Sequence, residues 1–139
     1  MTQDEELSKY MALIEQYKEQ IAQLEYQSSY IQAAINDYNK AKITIEQLKK
    51  TEKGIDLVVP IGGSTFINAT AKDTDKVLID IGSGIISEKK NDEAVKKIEQ
   101  RIESLKKTQD RITDSIEKIQ TEATEISEKA QKLYSEQLQ

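Results

Sequence analysis

The sequence predicts an α+β protein: a long antiparallel two-helix coiled coil with two β-hairpins at its centre. All five glycines and the single proline fall between Gly54 and Gly84, so the flanking segments contain no helix breaker. Apolar residues recur every three or four positions in those flanks, but every second position in the centre. Charged residues make up 32% of the chain and aromatic ones 5%, which suits a narrow coiled-coil stripe better than a globular core. We therefore divide the chain into a first helix (1–53), a β head (54–91) and a second helix (92–139).

The first segment is predicted to form one continuous helix. Thr2 and Glu5 have the spacing of a capping box, and Gly54 is expected to end the helix. We interpret the tyrosines of the apolar stripe as large side chains that fill a helix–helix seam rather than as ligand-binding residues. Lys42 is expected to extend its ammonium group into water. The heptad frame reads Leu7, Tyr10, Ile14, Tyr17, Ile21, Leu24, Ser28, Ile31, Ile35, Tyr38, Lys42 and Ile45.

The central segment is predicted to form two consecutive hairpins. Four strands at 55–61, 65–71, 76–81 and 85–89 are separated by turns at 62–64, 72–75 and 82–84. Pro60 cannot donate to a β-ladder, so we expect an edge strand or a bulge there. Two hairpins with open edges are unstable alone in water, and the helices are expected to use their apolar stripes on each other. The sequence therefore predicts a head that is buried against other subunits, through Leu57, Val59, Pro60, Ile61, Phe66, Ile67, Val77, Ile79, Ile81 and Ile85.

The second helix is predicted to pair with the first in antiparallel fashion within one chain. Asn91 is the expected N-cap, and an unbroken heptad frame runs from Val95 to Leu133 with only Gln109 polar. The two frames match in length, which predicts that Lys49 lies near Val95 and Leu7 near Gln137. Cysteines introduced at Leu24 and Ala123, two positions from the ideal register, are expected to cross-link within one chain.

Both chain ends are then expected to meet at one tip, which carries more apolar side chains than a two-helix seam can hide. Two interpretations remain open: frayed helix ends without a role, or a flexible apolar contact surface in which a methionine is the adaptable element. The residues of this tip are Leu7, Tyr10, Met11, Leu13, Ile14, Ala130, Leu133, Tyr134 and Leu138.

Several classes of function lack support in the sequence. The chain has no histidine and no cysteine, and Asp73 and Asp75 are not followed by the glycine and glutamate of a calcium loop. The runs at 62–65 and 82–84 lack the residues of phosphate and dinucleotide loops. We therefore expect no enzyme and no cofactor. No segment is basic enough for nucleic acid or apolar enough for a membrane span, and the start does not resemble a signal peptide. The absence of cysteine fits a soluble protein, so we expect a cytoplasmic one.

The central run from Leu57 to Lys90 resembles the head of archaeal-type alpha-class prefoldin subunits, the Gim complex. Its doubled hairpin is the feature that separates this alpha class from the related beta class. The sequence GGST departs slightly from the family's more usual turn. The matching positions are Leu57, Pro60, Gly62, Phe66, Ile67, Ala69, Asp73, Thr74, Lys76, Val77, Gly82 and Gly84.

The resemblance implies an ATP-independent co-chaperone of the cytoplasm. In that family two alpha and four beta subunits join their hairpins into a β-barrel body, and the coiled-coil tips of the hexamer hold unfolded client proteins. These clients are then passed to a group II chaperonin. The residues of the tip are our own inference, because the resemblance assigns no motif there. A filament or spacer protein assembled through the same β heads is the competing interpretation.

Overall fold

A computed structural model describes residues 2–138. Its elements are α1 (Gln3–Lys49), β1 (Asp56–Gly62), β2 (Thr65–Thr70), β3 (Lys76–Asp80), β4 (Ile86–Lys90) and α2 (Asn91–Gln137). Strand β1 pairs with β2, and β3 pairs with β4, each in an antiparallel two-stranded sheet. The predicted α+β class, with two long helices around two hairpins, is confirmed. The chain forms two compact units: the first contains the described residues up to Ala34 and from Leu105 onward, and the second contains Ile35–Ser104.

The first unit is a pair of antiparallel helix segments. The Gln109 amide donates to Gln32 Oε1 at 3.1 Å, and the Gln137 amide donates to Asp4 Oδ1 at 2.9 Å. Ile112 is buried in the seam between the segments. The predicted capping box is confirmed, because the Glu5 backbone N–H donates to Thr2 Oγ1 while the Thr2 N–H donates to the Glu5 carboxylate.

The register of this helix pair differs from the predicted one. In an antiparallel helix pair, the residue numbers of facing residues have a constant sum. This sum is 141 for both hydrogen bonds between the helices, whereas it is 144 for the predicted neighbours Leu7 and Gln137. The register that fits these bonds and keeps seam positions opposite each other places Leu24 opposite Ile116, and Tyr17 opposite Ala123. The predicted neighbours Leu7 and Gln137 were thus offset by three residues, and the predicted pairing of Leu24 with Ala123 was wrong by one heptad. Two uniform heptad stripes fit each other almost equally well after a shift of seven residues, so periodicity alone could not select the register.

This register predicts which cysteine pair cross-links. Leu24→Cys with Ile116→Cys should form an intramolecular disulfide under mild oxidation, because seam residues in one layer have Cα atoms within about 7 Å. Leu24→Cys with Ala123→Cys should stay reduced, since seven residues shift the partners by roughly 10 Å along the axis. Non-reducing electrophoresis measures both variants, and efficient cross-linking of the second pair alone would refute the register.

The second unit contains the other ends of the two helices and both hairpins. Its seam buries Ile45, Ile98 and Ile102. Lys42 lies in the seam frame but directs its ammonium group to Glu99 Oε1, 3.1 Å away. Lys42 therefore extends its ammonium group out of the seam, as expected, and forms an ion pair with Glu99 at the edge of the seam. Lys49 pairs in the same way with Asp92, one helical turn before the predicted neighbour Val95.

The first hairpin has the irregularities that its sequence predicts. Pro60 faces Phe66 in the ladder, and the register shifts between Pro60 and Gly62, so the proline lies on an edge strand beside a bulge. Gly63 and Ser64 both have positive φ angles, 55° and 56°, which is the conformation of a type I′ turn. Both expectations for Pro60 are confirmed.

The junctions between helices and hairpins differ in detail from the prediction. Helix α1 ends at Lys49 rather than near residue 53, and the Thr51 hydroxyl donates to the carbonyls of Gln47 and Leu48 in its last turn. Asn91 was expected to cap α2. Instead it is itself helical and 3% exposed, and its amide donates to the Thr74 carbonyl while its Oδ1 accepts no hydrogen bond. Asn91 therefore links the helix to the turn before β3.

Candidate interaction surfaces

The β1–β2 hairpin exposes apolar side chains on both of its faces. Because side chains alternate along a strand, the observed register places Leu57, Val59, Ile67 and Ala69 on one face, and Val58, Pro60, Phe66 and Asn68 on the other. Val58 is 64% exposed and Phe66 57% exposed. An isolated two-stranded sheet whose apolar faces are both exposed to water is only marginally stable. This hairpin therefore has the composition of a surface that is buried by a partner.

The β3–β4 hairpin differs, because one of its faces packs against the helices of its own unit. Ile79 is buried and Val77 is half-buried, and both line a groove of about 530 Å³ together with Ile45 and Leu48 of α1 and Ile98 of α2. The expectation that nothing in the chain could cover the hairpins was wrong for this face. The opposite face stays open, with Leu78 and Ile86 exposed.

Polar contacts hold this second hairpin to the helices. The Thr74 hydroxyl, 3% exposed, donates to the Thr51 carbonyl at 3.1 Å, and the Asn91 backbone N–H donates to the Asp75 carbonyl. On the other side of the hairpin, the Arg101 guanidinium donates to the Asp80 carbonyl and lies 5.9 Å from the centre of the Tyr38 ring. The β3–β4 hairpin is thus attached at both ends, in addition to its apolar contacts.

The residues proposed for the tip fall into two groups in the structure. The side chains of Leu7, Tyr10, Leu13, Ile14 and Leu133 are half-buried along the helix pair, and Ala130 is buried. The structure leaves Met11, Tyr134 and Leu138 more than half exposed. These three residues, called here the exposed tip residues, are the part of the predicted surface that a second molecule can reach directly.

Some exposed apolar residues were not among the surface residues predicted from the sequence. Val58, Leu78 and Ile86 were omitted from the predicted head surface, although the apolar neighbours of Val58 and Leu78 in β1 and β3 were the signal that both faces of these strands carry apolar side chains. Tyr26 and Tyr30 lie outside the heptad frame of α1 and are 69% and 71% exposed. Their ring centres are 6.0 Å apart, and the rings are tilted by 48°.

Two kinds of site are not found in the described part of the chain. Residues 2–138 contain no group of three acidic side chains arranged to hold a metal ion. Over the same residues, neither helix has an apolar stretch sufficient to span a membrane.

The fold and its surfaces define a class: a protein of two long helices that carries two β-hairpins between them, one of which is apolar on both exposed faces.

Comparison with known proteins agrees with this class. The family model described as "Prefoldin subunit" matches residues 17–136. The chain is 31% identical to the prefoldin subunit alpha of Methanosarcina barkeri over 118 residues, covering 83% of this chain and 82% of the relative. It is 30% identical to a putative prefoldin subunit alpha of Aquifex aeolicus, covering 95% and 84%.

A solved structure has the same fold. The cryo-EM structure of filamentous PFD from Methanocaldococcus jannaschii matches with a TM-score of 0.60 and 24% identity, covering 88% of this chain and 95% of that one. The chain belongs to the prefoldin family, in its alpha class. Prefoldins are chaperones rather than enzymes, and their alpha subunits form oligomeric complexes with other prefoldin subunits.

Proposed function

We propose that this chain is the alpha subunit of a cytoplasmic, ATP-independent co-chaperone that captures unfolded proteins and delivers them to a group II chaperonin. The observation that supports capture is the set of exposed tip residues, Met11, Tyr134 and Leu138, which lie near the start of α1 and the end of α2. Large apolar side chains that remain exposed at one end of a charged coiled coil are suited to apolar segments of non-native chains. Met11 adds a flexible side chain that adapts to varied partners.

The proposal includes a hexamer of two alpha and four beta subunits whose hairpins form a β-barrel. The support is the β1–β2 hairpin, which has apolar side chains on two exposed faces and unpaired backbone groups along both strand edges. Strands that continue the sheet would satisfy the edges, and a closed barrel would also cover one face. The exposed face of β3–β4, with Leu78 and Ile86, offers a second surface for a neighbouring subunit.

Capture and release then follow from weak contacts made in parallel. Each tip offers only a few apolar side chains, so a single tip would bind an unfolded segment weakly. Several tips on one assembly raise the effective concentration, and the combined affinity can exceed that of one tip by about 10² to 10⁴. Because each individual contact exchanges readily, transfer of the client needs no nucleotide.

The test combines assembly with activity. We expect the purified chain, mixed with an archaeal beta-class subunit, to form a particle with the mass of two alpha and four beta subunits. This particle should suppress aggregation of a chemically denatured protein without added ATP, and should transfer that protein to a group II chaperonin. Electron microscopy that showed only open filaments, with no protection of the denatured protein, would overturn the proposal in favour of a structural role.

A further inference from the structure

One stretch of α1 in the first unit, residues 20–34, is unusually poor in charge. Residues 20–34 contain one charged side chain, Glu25, whereas residues 92–139 contain 11 acidic and 9 basic ones. Within this stretch Tyr26 and Tyr30 form an exposed, tilted pair. Ala22, Gln23 and Gln27 line a shallow depression beside Tyr26. A coiled coil that needed only solubility here would carry glutamates and lysines at these positions, as α2 does.

We propose that this tyrosine face, defined as Ala22, Gln23, Tyr26, Gln27 and Tyr30, binds an extended, charge-poor segment of the same unfolded protein that the tip holds. The inference rests on the proposed function of the tip. Tyrosines give a large contact area at a low cost in conformational entropy, and their hydroxyl groups, with nearby glutamine amides, can hydrogen-bond a peptide backbone. A highly charged segment would lose hydration on this face without gaining an ion pair.

Position along the helix connects this face to the tip. Met11 and Tyr26 belong to the same helix and the same unit, 15 residues apart, which is about 22 Å at 1.5 Å per residue. An extended chain of about seven residues spans that distance. An unfolded segment held at the tip therefore brings its next residues to the tyrosine face at high effective concentration.

The size of the face favours such a segment over a second copy of this chain. The residues from Ala22 to Tyr30 cover about 13 Å of helix about 10 Å wide, hence on the order of 100 Å² on each partner. A stable protein–protein interface buries about 600 to 1,000 Å² on each partner. The tyrosine face is therefore too small to hold two subunits together, but is adequate for a weak additional contact.

The experiment uses the full chain assembled with a beta-class subunit, and a fluorescein-labelled, uncharged 20-residue peptide of alternating valine, leucine, serine and asparagine. Tyr26→Glu with Tyr30→Lys places a helix-compatible ion pair on the face, and should weaken binding about fivefold in fluorescence anisotropy. The matched control, Gln120→Glu with Thr124→Lys, adds the same charges to exposed positions of α2 and should bind as the wild type does. Both assemblies should keep the wild-type mass.

A third variant separates this inference from the proposed function: Met11, Tyr134 and Leu138 are all replaced by glutamine. If the tyrosine variant binds like the wild type while this tip variant binds weakly, the tyrosine face has no such role and the tip function stands. If both variants bind like the wild type, the proposed capture function fails and the inference fails with it. If the tyrosine variant changes the mass of the assembly, the face contacts another subunit, and the inference is overturned.

Discussion

Replacing Val59 and Ile67 with aspartate should abolish assembly while leaving the helices folded. These two residues are cross-strand partners on one face of the β1–β2 hairpin, and the free chain leaves both partly exposed, at 38% and 49%. Exposed aspartates are tolerated in the free chain. In a complex that buries this face, two adjacent carboxylates would each lose hydration and repel each other, at a cost of several kcal/mol for each subunit.

Sedimentation velocity of the variant mixed with a beta-class subunit measures the effect. The wild-type mixture should sediment as a large particle and the variant as separate subunits, with circular dichroism showing equal helix content. Lys72→Asp is the matched control, because it changes the net charge by the same two units in an exposed turn next to the hairpin, and should assemble normally. A doubly substituted chain that still forms the full-size particle would show that this face is not part of the interface.

Replacing Met11, Tyr134 and Leu138 with glutamine should remove most of the protection that the assembled particle gives to unfolded proteins. The exposed fractions of these side chains are 59%, 53% and 73%, so the substitutions remove apolar contact area without creating a cavity. Glutamine is a good helix former, so α1 and α2 should persist. In the proposed mechanism several tips act together, so a modest loss at each one multiplies, and we expect the apparent affinity for a denatured protein to fall at least about tenfold.

The measurement is light scattering of a denatured protein diluted into increasing concentrations of the assembly. A matched control replaces three exposed polar residues of the same tip, Ser8, Lys132 and Ser135, with glutamine, and should protect as well as the wild type. Equal protection by the two triple variants would contradict a role for the exposed tip residues. It would support the alternative that the helix ends only fray.

The sequence was sufficient to predict the elements because local rules specify them. Thr2 and Glu5 cap α1, Pro60 lies on an edge strand beside a bulge, and Gly63 lies in the tight turn of the first hairpin with positive φ. These features depend on residues within a few positions of one another, where backbone sterics and hydrogen bonding leave few alternatives.

Two other features depend on contacts between distant segments, and the sequence did not reveal them. The helix register was missed because equivalent heptad stripes repeat every seven residues, although the fit of Tyr17 against Ala123 was a clue to the correct alignment. The packing of Ile79 on the helices was missed because alternation shows that a strand face is apolar without showing what covers it. The role of Asn91 was missed for a related reason, since the Thr74 carbonyl that accepts its hydrogen bond lies in the turn before β3, distant in sequence.

The unequal attachment of the two hairpins has a consequence for biosynthesis. A newly made chain can cover one face of the β3–β4 hairpin by itself, since its own helices supply the covering side chains. The apolar faces of the β1–β2 hairpin stay exposed in the free chain, and in the proposed assembly only other subunits would cover them. A chain without partners thus exposes surface that promotes aggregation. This favours balanced, simultaneous production of the assembly's components and rapid proteolysis of any excess chain.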